Sequence, residues 1–501
     1  MGAPSSLLQG ARAFARDMPR DSLPKGFLWD VCDFVPALVD ADLTGRGGWV
    51  WGSPVLDSEV WAGIVANFPA LGDRLLVQSA GHAWYDVALD GSAASGFGSA
   101  NSSNQNPVQL VDTVIHCSEE DQPMQLVTAP GGVITVATAP APATHARRAC
   151  IYKAMLVHAA APGEEDVVRF SVPGENLATS AAYDPNSFLR TSRDVTALTA
   201  LRGMVLVFHK NMVERIRGST PPYSPDGVGD MFLEIAFDRI GCSYPKTVAT
   251  WNENVIFADE HGVHMTDGTI VRNIAAQGNI LSYWRPLYEA TSTACACTFL
   301  DYYMITLRYA DADSSVTLIC DLNRRQWYRF SNVRANTYIS SSGGVARPYI
   351  LTGDRGTTQE SLWAGQNTTG RLIRVDPCFF PVFGAAILDG DGAPVLPVFE
   401  TGWYRLAEEG RKRIRFGYLS YDARLATPDP VLEVAYLTSP QQPAYTISGS
   451  LPGTADYTRR RFPVSKFPYG VAFRVRQTAA TTATRIHDLA AEAWPAERSR
   501  V

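Results

Sequence analysis

The sequence predicts an all-β protein: a β-propeller with an extended N-terminal arm and a small C-terminal β-sandwich. Three observations carry that expectation. In residues 231–275, short runs rich in Val, Ile, Phe and Thr alternate with turns at Trp251-Asn252-Glu253-Asn254, Glu260-His261-Gly262 and Asp267-Gly268. The runs have the length of strands, and each turn holds a Gly, Asn or Asp that tolerates positive φ. Residues 294–330 and 346–376 resemble that stretch, at roughly the 40–50 residue spacing of propeller blades. Finally, 40 Gly and 32 Pro are spread along the 501 residues, which suits a turn-rich β protein better than a helical bundle. No repeat is literal, so periodicity alone also leaves a long β-sandwich open.

In chain order, residues 1–48 read as an extended arm. Pro19, Pro24 and Pro36 punctuate them, and GFLWDVCDFVPALVD (26–40, containing Trp29) is apolar without a helical period. Gly45-Arg46-Gly47-Gly48 is a glycine turn into a strand at 49–51, read as the lead-in to the propeller. Strand signals run from Arg74 through RLLVQSA and AWYDVAL, and a Gly/Ser/Asn-rich stretch at 91–107 reads as a long loop. Hairpin patterns continue to residue 219, and 218–230 is another loop. The only helix candidate is ATRIHDLAAEAW (483–494), which also fits the end of a strand. The propeller is expected over 49–390. After the glycine-rich LDGDGAP, longer alternating strands over 391–501 fit a small sandwich.

The charge is unevenly divided. Net charge is −6, yet residues 401–480 hold 12 Lys and Arg against 6 Asp and Glu, and residues 1–400 carry the excess of acid. That asymmetry fits one end that meets an acidic partner and a body that repels polyanions. No apolar run approaches the length of a membrane span, and no signal-peptide pattern opens the chain, so a soluble protein made in a cytoplasm is expected.

Catalytic signatures are weak. Asp259-Glu260-His261 with His264 is the sharpest metal-site candidate, but a glycine splits the histidines in a hairpin turn and no H-E-x-x-H helix is present. Turn polarity explains it better. The eight cysteines have no zinc-site spacing; Cys295 and Cys297 share one strand face, and buried thiols are expected. No P-loop, dinucleotide fingerprint or G-x-S-x-G elbow appears, and Gly241-Cys242-Ser243 lacks the flanking glycine. A propeller that binds or hydrolyses glycans is the alternative function. MTDGTIV (265–271) lacks the spacing and Trp of a sialidase box, and no carboxylate pair can be chosen. No catalytic residue, cofactor or metal site is assigned.

Several stretches resemble the β-propeller tail hub, nozzle and packaged-DNA stabilisation proteins of tailed bacteriophages. LPKGFLWDVCDFVPALVDADLTGRGGW (23–49) is similar to their arm and R-G-G turn. LRGMVLVFHKNMVERIRGS (201–219), FDRIGCSYPKTVATWNENVIFADEHGVHMTDGTIVRNI (237–274) and DLNRRQWYRFS (321–331) are similar to their blades. ETGWYRLAEEGRKRIRF (400–416) and RRRFPV (459–464) are similar to the sandwich that follows. The loop at 91–107 and the connector at 440–456 have no counterpart. The resemblance implies a structural virion protein with no enzymatic activity, assembled in the host cytoplasm. It implies a homohexameric ring below the portal, contacts with portal, adaptor and other tail proteins, and genomic DNA passing without sequence-specific contacts. It also implies that no membrane partner is needed. Trp29 and Arg46 in the arm, Arg411, Lys412, Arg413 and Arg415, and Arg459, Arg460 and Arg461 are the expected interface residues.

Overall fold

The computed structural model describes residues 53–340 apart from 102–104, 120–121, 141–144, 225–226 and 310–314. Elsewhere it describes 5–6, 12–15, 27–32, 34–36, 43–45, 50–51, 362–366, 371–374, 398–401, 404–405, 412–423, 431–437, 446–452, 458–464, 470–477 and 484–495.

The chain folds as a β-propeller. Six antiparallel sheets of four strands are self-contained, and a seventh set of four opens a larger, eleven-stranded sheet. The first blade is Val60–Phe68, Gly72–Ser79, Ala83–Val87 and Ala94–Ser99. The second runs from Val108–Leu110 to Thr135–Thr138, the third from Arg148–Tyr152 to Tyr183–Arg190. The fourth runs from Ala197–Leu201 to Phe232–Asp238, the fifth from Ala249–Trp251 to Val271–Asn273. Thr291–Phe299 to Gln326–Phe330 make the sixth. The seventh holds Ala335–Ser340, Leu362–Gln366 and Leu372–Arg374, and its outermost strand is Val50–Trp51 from the other end of the chain. The strand expected as a lead-in therefore closes the ring: Ile373 pairs with Trp51 and Arg374 with Val50.

A four-stranded sheet has two faces to bury, and each blade buries them against its neighbours. Apolar clusters accordingly sit between successive blades. Trp84 meets Val114 between the first and second, Ile115 meets Leu156 between the second and third, and Phe170 meets Val205 between the third and fourth. Phe208 and Phe257 join the fourth to the fifth, with ring centroids 4.9 Å apart. The largest cluster spans the fifth, sixth and seventh blades, and Val77 and Ile339 complete the circle from the seventh to the first.

Strands from both ends of the chain extend the sixth blade. Phe27–Cys32 lies beside Gln326–Phe330, pairing parallel at Cys32 and Arg329. Its other edge pairs antiparallel with Val398–Thr401, which continues through Gly470–Gln477, Val431–Leu437 and Thr446–Pro452. A second sheet joins Lys412–Ala423, Thr458–Pro463 and Thr484–Pro495 to Leu43–Gly45 and Phe34–Pro36. Strand pairing thus crosses both expected boundaries, near residues 48 and 390.

Two local expectations are corrected and a third is settled. The 91–107 loop contains the strand Ala94–Ser99, the outer edge of the first blade. The stretch 483–494, read as a helix or as the end of a strand, takes the second form, the strand Thr484–Pro495. Helices occur instead at Ile274–Gln277 and Leu281–Glu289, between the fifth and sixth blades. The first is capped by Asn273, whose side-chain oxygen accepts from Ala276 N at 2.9 Å. The second is anchored by the fully buried Trp284, whose indole N–H donates to Asp259 O at 2.9 Å.

Glycine is required where first strands crowd together. A Cβ on Gly63 would lie 2.3 Å from Ile339 Cδ1 of the seventh blade and 2.8 Å from Leu76 O. Gly63→Ala is therefore expected to destabilise the protein by about 1–3 kcal/mol, as overpacking of a closed interior does. Chemical denaturation of purified wild type and variant measures it, and equal midpoints would show that the blades can part at that point.

Candidate functional site: the propeller channel

The first strands of the blades face a common axis, and two cavities open along it. The larger, about 610 Å³, is lined by Ile64, Val108, Ile151, Leu198, Val248 and Ala296, from or next to the first strands of six successive blades. The smaller, about 280 Å³, shares Pro245 and Lys246 with it. Trp61, Ser243, Thr293, Arg308 and Asn336 line the smaller cavity, with Arg148 at its edge.

Polar side chains tie the blades together around this channel, adjacent blades in some cases and non-adjacent ones in others. Asn106 Nδ2 donates to Tyr338 O at 2.9 Å, and Asn106 Oδ1 accepts from Thr337 Oγ1 at 2.6 Å. Gln105 Oε1 accepts from Ala149 N at 3.1 Å. Lys246 sits in the short turn Pro245–Thr247 that leads into the fifth blade. Its ammonium donates to Trp61 O of the first blade and, at 3.5 Å, to Asn336 O of the seventh. Arg308 Nη1 donates to Asn336 Oδ1 at 2.8 Å and lies 3.6 Å from Glu59. Asn336 Nδ2 in turn donates to Glu59 Oε2 at 3.1 Å. Arg148 is buried; it donates to Thr196 O and engages both oxygens of Glu119. Three cations and two carboxylates therefore meet at this end of the channel, and both carboxylates are held by guanidinium groups.

Burial pushes the Lys246 ammonium down to about 8; Cys295 and Glu119 oppose the shift and Arg148 adds to it. The side chain is half-buried, reaching its carbonyl partners from the channel wall. Sequence reasoning missed Lys246, because S-Y-P-K in a turn carries no motif and its partners lie 185 and 90 residues away.

The candidates singled out in the sequence fall elsewhere. Asp259 and His264 are buried in the fifth blade, with His264 Nε2 2.7 Å from Asp259 Oδ1. Asp259 Oδ1 also accepts from His261 N at 2.7 Å, while the side chains of Glu260 and His261 are exposed. No group of three or more His, Cys, Asp and Glu able to hold a metal ion occurs among the described residues. The fourth blade carries the same pair with the roles exchanged: His209 Nε2 lies 3.0 Å from Glu214 Oε2, and Ser192 Oγ donates to Glu214 Oε1 at 2.5 Å. Seven of the eight cysteines are described and all are buried. Desolvation pushes the thiols of Cys117, Cys150 and Cys295 up to about 12. Cys242, beside the channel residue Ser243, is raised to about 11.

Of the expected interface residues, Arg461 is exposed on the strand Thr458–Pro463. Arg459 and Arg460 share that strand, Lys412, Arg413 and Arg415 lie on Lys412–Ala423, and Trp29 on Phe27–Cys32. Arg46 and Arg411 lie outside the described residues. The strands that carry the two basic runs are adjacent, and the register sets Arg461, Arg460 and Arg459 opposite Tyr418, Leu419 and Ser420, beyond the end of the 412–415 run.

The ring of blades makes this a β-propeller protein. No family model matches the chain, and no curated protein matches it. Among solved structures it is similar to BamB from Moraxella catarrhalis, with a TM-score of 0.37 and 12% identity over 74% of this chain and 96% of that one. It is also similar to a chain of a mitotic checkpoint complex, with a TM-score of 0.36 and 9% identity over 66% of this chain and 93% of that one.

Two outcomes are expected here. His209→Ala removes one hydrogen-bond partner of the buried Glu214, which keeps Ser192, and should cost about 1–3 kcal/mol by denaturation, the penalty for an under-satisfied buried polar group. Lys246 titrates near 8 when folded and near 10.4 when unfolded, so the unfolded chain holds the extra proton between these values. Its desolvation cost is thus present in full below pH 8 and is relieved as pH rises toward 10.4. Competitive amine labelling read by mass spectrometry should place its midpoint about two units below exposed lysines; a midpoint among theirs would mean a solvated ammonium.

Proposed function

We propose that the chain is a structural protein of a bacteriophage tail, a hub or nozzle subunit that assembles as a ring below the portal, extends the DNA channel and helps retain the packaged genome until ejection. The observation that carries this reading is mechanical. One eleven-stranded sheet runs from the sixth blade through the N-terminal strand Phe27–Cys32 into the C-terminal strands, so both ends of the chain are hydrogen-bonded to the propeller. A subunit that transmits force between neighbours needs that continuity, since a flexibly tethered module would yield first.

Charge supports the same reading. The two basic runs of the C-terminal region lie on adjacent strands of one sheet, offset along it, and Arg461 is exposed there. The rest of the chain carries the excess of acid. In this arrangement the basic sheet grips an acidic neighbour, while the acidic body lets DNA slide by weak repulsion. A closed ring of identical subunits uses heterologous interfaces, so each subunit presents two different surfaces.

Light scattering on the purified chain, alone and with portal-side tail proteins, should report a discrete closed ring. Replacing Arg411, Lys412, Arg413 and Arg415 with Glu should abolish ring docking while the monomer keeps its β-rich circular dichroism. Unchanged assembly of that variant would remove the basic sheet from the interface, and a wild type that stays monomeric with every partner would overturn the tail assignment.

A further inference from the structure

The channel chamber around Lys246 holds more positive charge than its own carboxylates neutralise. Glu119 is taken by Arg148 through both oxygens, and Glu59 is shared between Arg308 and the Asn336 amide. Lys246 hydrogen-bonds to two backbone carbonyls, which do not balance its charge, and the Glu119 carboxylate that acts on it is already paired with Arg148. A partly desolvated ammonium without a paired counter-charge is costly, and an anion in reach relieves that cost. The donors also converge from different blades: Lys246 from the fifth, and Arg308 from the sixth, with Thr293 exposed on the cavity wall. The Trp61 residue forms part of the same wall.

We propose that this chamber, about 280 Å³ in volume, binds a small oxyanion of the phosphate or carboxylate kind between Lys246 and Arg308. The volume equals about nine water molecules, enough for a tetrahedral or planar oxyanion with a short substituent and a few bridging waters. Arg308 has the fork of N–H donors that suits such groups, and only Nη1 is committed to Asn336 Oδ1. The Lys246 ammonium supplies a point charge on the other side. A depressed Lys246 titration is the companion sign of an ammonium awaiting a counter-charge. This site is independent of the tail assignment and stands on the channel residues alone.

Lys246 also bridges the first and seventh blades, so a purely structural role is the competing explanation. Isothermal titration of the full chain at pH 7, with inorganic phosphate and with succinate in separate runs, separates the two. Saturable binding of one or both, at one site per chain, is expected, and the tighter ligand identifies the class. Lys246→Met should weaken it about tenfold or more by removing a charge-assisted donor. Thr293→Glu puts a carboxylate on the exposed wall without touching the bridge, so it should fold normally and weaken binding at least as much. Absence of saturable binding to the wild type overturns the proposal and leaves Lys246 as a structural bridge. Binding that survives Thr293→Glu unchanged also overturns it, by placing the anion elsewhere, even if Lys246→Met fails to fold.

Discussion

Everything in this molecule depends on burying both faces of every blade. A lone four-stranded sheet cannot do so, and an open row of blades would leave one face bare at each end. The ring removes the bare faces, and its closure rests on a contact between Trp51 and Ile373, more than 300 residues apart. That contact consists of few hydrogen bonds, because Val50–Trp51 is a two-residue strand. Its stability comes from what it lets the neighbours do: with the seventh blade in place, Ile339 and Leu372 pack on Val60, Leu75 and Val77 of the first. The demand for close approach at that junction is why residue 63 carries no side chain.

Packing between nearest neighbours would permit blades to slide, and the buried polar pairs oppose that. The pairs His209–Glu214 and Asp259–His264 occupy equivalent hairpins of adjacent blades with the acid and base exchanged. Each anchors the segment beside it. Glu214 holds Ser192, which leads into the fourth blade, and Asp259 meets Gly241 N at 3.4 Å and receives the Trp284 indole on its carbonyl. A buried, hydrogen-bonded polar pair tolerates few geometries, so such pairs fix register where apolar contacts alone would allow several. The acid-base cluster that looked like a metal site is this kind of anchor.

How much was legible follows from range. Hairpins were readable because their determinants are local: Asp267 accepts from Thr269 N and Ile270 N, and Gly268 takes a φ of 85°. The strand Ala94–Ser99 was not readable, since ASGFGS has weak strand propensity and is held by its neighbour; a Cβ on Gly98 would come within 2.9 Å of Val136 in the second blade. The helix Leu281–Glu289 was hidden by Pro286 and by aromatic residues that disfavour helix, and it forms because Trp284 is buried. The closing strand at 49–51 was visible as a strand and invisible as a partner of residue 373. The channel set was the least legible, because its members come from separate blades and have meaning only once the ring exists.

That last point explains where function is expected in a propeller of this kind. Between blades, contacts are pairwise and sequential, and any residue there is answerable to packing. On the axis, first strands from blades far apart in the chain face one another, and a side chain can reach two partners that are not its neighbours. Lys246 does so, spanning from the fifth blade to the first and the seventh, and Asn106 does so from the second to the seventh. Such residues hold the ring at a fixed bore while lining the space inside it. Core packing would be served by an apolar side chain at 246, which would not need a carbonyl from each of two blades. A cation kept there at a desolvation cost is the feature of the channel that packing alone does not account for.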